Sequence, residues 1–229
     1  VKASQRASSL TKQLLTFSRR QEMELKKVDL NDRINNLYSM VKRLLGEDIS
    51  LVLNLEKNLR MVSADPGQLE QVLLNLLINA RDAVDAAGLI TITTKNVIVG
   101  KNEFDSRRNI KAGSYVTVQV TDNGCGISED NLERIFEPFF STKEVGKGTG
   151  LGLSMIYGIV EQHKGFVDVK SQVGQGAEFT VYIPSVSVSN EFRPSTEVKL
   201  PQGGNETILV AEDEDFVRLL ITTILERCG

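Results

Sequence analysis

The feature that most constrains this chain is a strip of polar side chains beside the long apolar run of one helix. Asp65 and Pro66 read as a helix start, a capping residue followed by proline at the first helical position, and Leu69, Val72, Leu73, Leu76, Leu77, Ala80 and Val84 recur behind them at helical spacing. A helix over 66–84 is expected, with one face buried. Asn75, Asn79 and Asp82 are spaced by four and three, so they line up beside that apolar run. Amides and a carboxylate placed there need partners. Neighbouring backbone satisfies an Asn pair taken alone. The alternative is a magnesium site, because this hard cation takes oxygen ligands, keeps several waters and usually needs only one or two protein groups plus phosphate oxygens. Asn79 would then be the direct ligand.

Three further motifs follow in order. Tyr115 to Thr121 alternates apolar and polar residues as a strand does and runs into Asp122-Asn-Gly124-Cys-Gly126-Ile127. Asn-Gly is a strong hairpin signal, and a tight turn explains it in isolation. Against a hairpin, Gly126 and Ser128 lead into Glu129-Asp-Asn-Leu-Glu-Arg-Ile, a helical pattern opened by a capping serine. Glycines let a flat ring approach the backbone, and a carboxylate at a strand end accepts a hydrogen bond from an exocyclic amine, which suits adenine. Next comes Phe136-Glu-Pro138-Phe139-Phe140-Ser-Thr-Lys143, whose aromatic residues are expected to anchor a loop to the core.

In the fourth motif Gly146, Gly148, Gly150 and Gly152 alternate with Lys147, Thr149 and Leu151, giving a backbone able to wrap phosphates with its amides. A helix read from Leu153, Met155, Ile156, Ile159 and Val160 follows directly, and its N-terminal dipole favours anions. Lys143 and Lys147 add positive charge. Glycine-rich loops are often only flexible, and this one lacks both the Gly-Lys-Ser/Thr phosphate-loop ending and the dinucleotide pattern after a first strand.

Taken in this order, with a closing Gly174-Gln-Gly176-Ala-Glu-Phe179-Thr180, the motifs resemble the ATP-binding domain of bacterial two-component sensor histidine kinases. That domain belongs to a superfamily shared with DNA gyrase, mismatch-repair ATPases and a heat-shock chaperone. The resemblance covers roughly 28–184. It implies ATP and Mg2+ as ligands, Asn79 on the metal, Asn75 beside the phosphates, Asp122 on the adenine amine, Gly124 and Gly126 at the base, and Gly148, Gly150 and Gly152 in a lid over the phosphates. Asp82, Ile127, Lys143, Lys147, Thr149 and Leu151 complete the expected nucleotide-contacting set. Ala177 stands where a hydroxyl residue is common in the family, so Thr180 is not assigned as a ligand. In hydrolytic relatives the residue four before the metal-binding Asn is typically Glu, which activates water; Asn75 cannot act as a general base. The resemblance therefore implies transfer of the γ-phosphoryl group to a histidine. The alternatives are a hydrolytic ATPase driving conformational change and a non-catalytic nucleotide-binding module.

The two ends extend this reading. Ala3, Ala7, Leu10, Leu14 and Phe17 form a bundle seam, and 6–19 resembles the second helix of a kinase dimerisation domain. Residues 1–27 are assigned to that domain in part, with homodimerisation through this helix. The acceptor histidine is expected upstream of Val1, so no catalytic residue is assigned within the chain, which begins without Met and reads as a fragment. The one histidine, His163, falls where a helix closes on Gly165 and is expected to cap it. Residues 185–205 read as a linker. In 206–229, an apolar strand runs into Glu212-Asp213-Glu214-Asp215 and a helical pattern, resembling the opening of a receiver domain, where Glu212 and Asp213 would bind Mg2+ if the receiver were intact. A hybrid-type kinase, with a response regulator or its own receiver as partner, is the expectation.

Composition sets limits. With 229 residues, 41% of them hydrophobic, the chain can build one full domain with a real core plus appendages. A net charge of -3 with scattered Lys and Arg argues against nucleic acid. No run of eighteen apolar residues provides a membrane span. Two cysteines are too few for a disulfide framework or metal cluster and fit a cytoplasmic location, with Cys125 expected to be a small filler. The fold expected is a two-layer α/β sandwich, with helices 31–45, 66–84 and 153–163 on one face of a mixed sheet of strands 49–55, 89–95, 115–121, 166–171 and 178–183.

Overall fold

The computed structural model describes residues 23–46, 48–84, 87–100, 111–143 and 149–186. The N-terminal bundle helix, nearly all of the linker, the receiver-like end with Glu212 and Asp213, and Gly146, Lys147 and Gly148 lie outside them. The described elements are β1 (Lys26–Val28), α1 (Leu30–Leu45), β2 (Ile49–Leu55), β3 (Val62–Ala64), α2 (Pro66–Ala83), β4 (Gly88–Val99), β5 (Gly113–Asp122), α3 (Glu129–Leu132), α4 (Gly152–Gln162), β6 (Phe166–Ser171) and β7 (Ala177–Pro184).

Five strands form one mixed sheet in the order β2-β4-β5-β7-β6, with β2 and β4 parallel and the other neighbours antiparallel. Register places Leu53, Ile92, Val120, Phe179 and Val169 in one row across all five strands. This is the face buried by the apolar sides of the helices, which contribute Ile34 and Val41 from α1, Leu69, Leu73 and Leu77 from α2, and Ile156 and Val160 from α4. The expected two-layer sandwich is the one found. The period of two in β5 carries Val116, Val118 and Val120 inward and then Asp122, which stands opposite the fully buried Ile90. A carboxylate is thereby delivered to the helix side of the sheet. The other face holds Thr93, Gln119, Thr180 and Asp168 in a row and an aromatic cluster in which Phe166 stacks on Tyr182 at 4.1 Å. Thr180, left out of the expected ligands, lies on this face.

Local chemistry explains where the helices start. Asp29 caps α1 by accepting from the Asn31 amide at 2.8 Å, and Asp65 caps α2 by accepting from Gly67 and Gln68 at 2.9 and 3.1 Å, ahead of Pro66. Several boundaries differ from the sequence reading. Lys26 and Lys27, assigned to the N-terminal helix, belong to β1, which pairs antiparallel with β3. Three-residue strands are too short to show an alternation. Ser185, assigned to the linker, bridges to Val62, and the Val186 amide donates to Met61 O at 2.8 Å. Ser128 occupies the N-cap of α3 without a side-chain capping bond, and that helix has only four residues. α4 begins at Gly152, one residue earlier than expected.

Candidate functional site

Helix α2 is the spine of the site. The Nδ2 atoms of Asn75 and Asn79 are buried and have no hydrogen-bond partner. The backbone explanation that would satisfy an Asn pair is therefore not realised for these amides. An orphaned buried donor costs about 1–3 kcal/mol, which a ligand with acceptor oxygens would recover. Asn79 lies against the start of α4: a methyl placed on Gly152 would sit 3.6 Å from its Nδ2 and 3.8 Å from its Oδ1. Among the described residues no side chain caps α4, whose N-cap position is Leu151, and the first amides of a helix are the ones an anion can engage. The glycine-rich segment thus ends with the Asn79 amide against a helix N-terminus, and Asn75 stands one turn earlier on α2. This set fits a magnesium-bound phosphate chain, with the Asn79 carboxamide oxygen for the metal and N–H groups for phosphate oxygens.

The other end of the site forms where α2 stops. The Cys125 amide donates to Ala83 O at 3.0 Å, and Gly174 N donates to Cys125 O at 2.8 Å, so the Asp122–Gly126 turn is held between the end of α2 and the β6–β7 turn. Asp122 is 5% exposed, and its Oδ1 accepts from Gly124 N at 2.9 Å and Ala177 N at 3.3 Å. Both bonds fall on one oxygen. Burial pushes this carboxyl above its ordinary pKa, and the two backbone donors offset that only in part. An amine donor reaching Oδ2 would favour the charged form. The glycines here have a reason beyond access for a ring: a Cβ on Gly124 would lie 2.3 Å from Ala83 O, and one on Gly126, whose φ is +71°, would lie 2.0 Å from Gln172 O. Protein packing excludes side chains at both. Ile127 packs against the core, and its amide donates to Ser171 Oγ at 2.8 Å. Cys125 is exposed, not a filler, because the turn's backbone contacts leave its side chain outward.

Between these ends, the segments flanking the glycine-rich loop are clipped together. Phe139 N donates to Gly150 O at 2.9 Å, and a Cβ on Gly150, at φ +66°, would meet Phe139 C at 2.4 Å. Phe136 and Phe140 pack on the core as expected. Phe139 does not: it has φ +68° and is 67% exposed, because its backbone is committed to Gly150. Lys143 Nζ bonds Asp82 Oδ2 at 2.8 Å, while Arg81 donates to Asp82 Oδ1 through Nε at 3.0 Å and a terminal nitrogen at 2.7 Å. Burial alone would raise the Asp82 pKa, but bonds to Lys143 and Arg81 outweigh it and lower the value. Thr149 Oγ1 accepts from the buried Leu151.

Of the expected residues, Asn79 and Gly152 are adjacent, Asp82 and Lys143 are paired, and Asp122 and Gly124 share a turn. Arg81, Ala83 and Ser171 take part without having been singled out, and Ala177, noted only as a departure from the family pattern, takes part through its backbone amide. Arg81 alone carried a signal, as a cation next to Asp82. His163 caps as expected, with Nδ1 2.8 Å from Ile159 O, and its Nε2 also accepts from the Asp65 amide at 3.0 Å, joining the end of α4 to the start of α2. A ring with both nitrogens engaged and 5% exposure is no phosphoryl acceptor.

Fold and site together define an ATPase domain of the histidine kinase-, DNA gyrase B- and HSP90-like family, whose model matches residues 64–187; the chain belongs to that family. It is similar to the sensor kinase CckA of Brucella abortus, 43% identical over 93% of this chain, and to the sensor histidine kinase ZraS of Escherichia coli K12, 36% identical over 80%. It spans only 24% and 36% of the length of those proteins. Among solved structures it resembles the catalytic domain of histidine kinase ThkA, with 31% identity, a TM-score of 0.57, and coverage of 71% of this chain and 97% of that one. The structure of ThkA in complex with the response regulator TrrA matches with 27% identity and a TM-score of 0.60, over 81% of this chain and 49% of that one. Among the described residues no helix is long and apolar enough to cross a membrane.

Proposed function

We propose that this chain is the ATP-binding catalytic part of a hybrid sensor histidine kinase, which transfers the γ-phosphoryl group of magnesium-bound ATP to a histidine on a helix upstream of Val1. The observation that carries the reading is Asn75. The position that would activate water is an amide with a buried, unpartnered Nδ2, able to donate to a phosphate oxygen but not to take a proton. Similarity to CckA, ZraS and ThkA supports the same conclusion.

Bound magnesium would neutralise charge on the β- and γ-phosphates. The chain's own contribution is positioning. Asp122 accepts from the adenine amine and fixes the base; Gly124, Gly126 and Ile127 form the turn around it. Asn79 supplies a carboxamide oxygen to the metal, Asn75 donates to a phosphate oxygen, and the start of α4 presents backbone amides. Lys143 brings a cation to the same end. The incoming imidazole nitrogen forms the N–P bond as the bond from the γ-phosphorus to the β,γ-bridging oxygen breaks, and ADP leaves with that oxygen. Homodimerisation through the N-terminal helix, a receiver aspartate as the next acceptor, Mg2+ at Glu212 and Asp213 of an intact receiver, Lys147 and Gly148 over the phosphates, and a cytoplasmic location belong to the same proposal and rest on sequence.

The test supplies the natural upstream helical hairpin and γ-labelled ATP. Acid-labile label is expected on the hairpin histidine, lost in Asn79→Ala and retained in His163→Ala. Labelled inorganic phosphate released without labelled protein would instead establish the hydrolytic reading.

A further inference from the structure

We infer that Asp82 is a parking site for Lys143, which exchanges from this carboxylate to the terminal phosphate when ATP binds. This deepens the proposed nucleotide site and rests on it. Asp82 has two cationic partners divided between its two oxygens. Arg81, its neighbour on α2, holds Oδ1 through two nitrogens at 3.0 and 2.7 Å. Lys143, from the segment leading into the glycine-rich loop, holds Oδ2 through one nitrogen at 2.8 Å. The first partner is fixed by the helix, whereas the second sits on a flexible four-carbon stem with three rotatable donors.

Position makes the second partner transferable. Asp82 lies three residues beyond Asn79, so their side chains are neighbours on the helix surface, with Cβ atoms about 5–6 Å apart. Parking on Asp82 therefore keeps the Lys143 ammonium within one helical turn of the orphaned Asn79 amide and the start of α4. A terminal phosphate arriving there carries more charge than one carboxylate and takes the cation. Asp82 is not left uncompensated, because Arg81 remains on Oδ1. The carboxylate thus serves as a positioning residue for the loop cation in the empty protein and a competitor for it during binding. The pair is partly exposed, 35% and 27%, so the competition is modest.

Calorimetry of ATP and ADP binding, at saturating Mg2+, tests the exchange. Asp82→Asn keeps an oxygen for Arg81 and releases Lys143; ATP should bind roughly two- to fivefold tighter and ADP with unchanged affinity. In the Lys143→Gln background the gain should vanish. In the nucleotide-free Asp82→Asn protein, amide exchange in 140–143 should be faster, which a mere loss of repulsion would not produce. Unchanged or weaker ATP affinity, an equal gain with ADP, or a gain that survives Lys143→Gln would each overturn the exchange. Failure of the unsubstituted protein to bind ATP would instead remove the nucleotide site itself.

Discussion

Replacing Asp122 by Asn separates the stability of the empty domain from its hold on the base. The carboxamide is the same shape, and its oxygen can keep accepting from Gly124 and Ala177, as Oδ1 does at 2.9 and 3.3 Å. What changes is the other atom, from an acceptor to a donor. Because burial raises the Asp122 pKa above its ordinary 3.8, this group favours the fold below that value and loses the contribution as pH rises through the raised one. At pH 7 its charge subtracts stability, so Asp122→Asn should melt at the same temperature as the native protein or higher. ATP should suffer the opposite fate, since its exocyclic amine would face an N–H. Loss of one hydrogen bond to a charged group costs roughly 1.5–3 kcal/mol, about ten- to a hundredfold in affinity. At an ATP concentration of about 100 times the native Kd, ligand stabilisation of about 2.7 kcal/mol would fall to roughly 0.4–1.4 kcal/mol. Calorimetry and melts with and without ATP measure both effects. Native affinity should also decline as pH drops through the raised carboxyl value, because protonation puts a donor on Asp122, while the Asn variant shows no such decline. Unchanged affinity, or an empty variant that has lost more than about 1 kcal/mol, would refute the reasoning.

Two glycines of one motif should behave differently. Gly152→Ala places a methyl at ordinary contact distance from Asn79, so the melting temperature should hold while ATP binding weakens roughly tenfold, read by calorimetry. Gly150→Ala forces a positive φ on alanine and a clash with Phe139, and should cost about 1–3 kcal/mol in urea denaturation. Lys164 has φ +59° just past α4, and Lys164→Gly should stabilise by about 0.5–1 kcal/mol in the same assay. At Asp65, desolvation is outweighed by bonds from Gln68, Glu24 and Gly67, which lower its pKa; Asp65→Ala should cost about 1 kcal/mol at pH 7. The native protein should lose that contribution below the ordinary 3.8, as pH falls through the lowered value, and the two melting curves should converge in acid.

The site's polar strip was legible because Asn75, Asn79 and Asp82 obey helical spacing within a single element. Asp122 was legible because a strand's alternation ended on it. The reasons for the glycines were not, since what excludes a side chain at Gly124, Gly126 and Gly176 is backbone of Ala83, Gln172 and Asp122, brought near only by the tertiary fold. His163 showed its cap in the local pattern but not its bond to Asp65, which spans two helices. Phe139 was read as an anchor from its residue type, and its outward ring follows from a backbone bond to Gly150 that no composition displays.

Parallel strands cannot be joined by a hairpin, so β2 and β4 meet only after the chain between them, including all of α2, has crossed over. Pairing of β4 with β5, and of β5 with β7, then brings Asp122 to the end of α2 and supplies its second donor from Ala177. These contacts are far apart in sequence, which places the domain among slowly folding topologies. The Asp122 end of the candidate site is completed only by these long-range pairings, so on the proposed function a half-folded chain offers no complete site for ATP to stabilise. Nucleotide can reward only the finished fold, and core amides of α2, β4 and β5 should exchange through one common opening reaction.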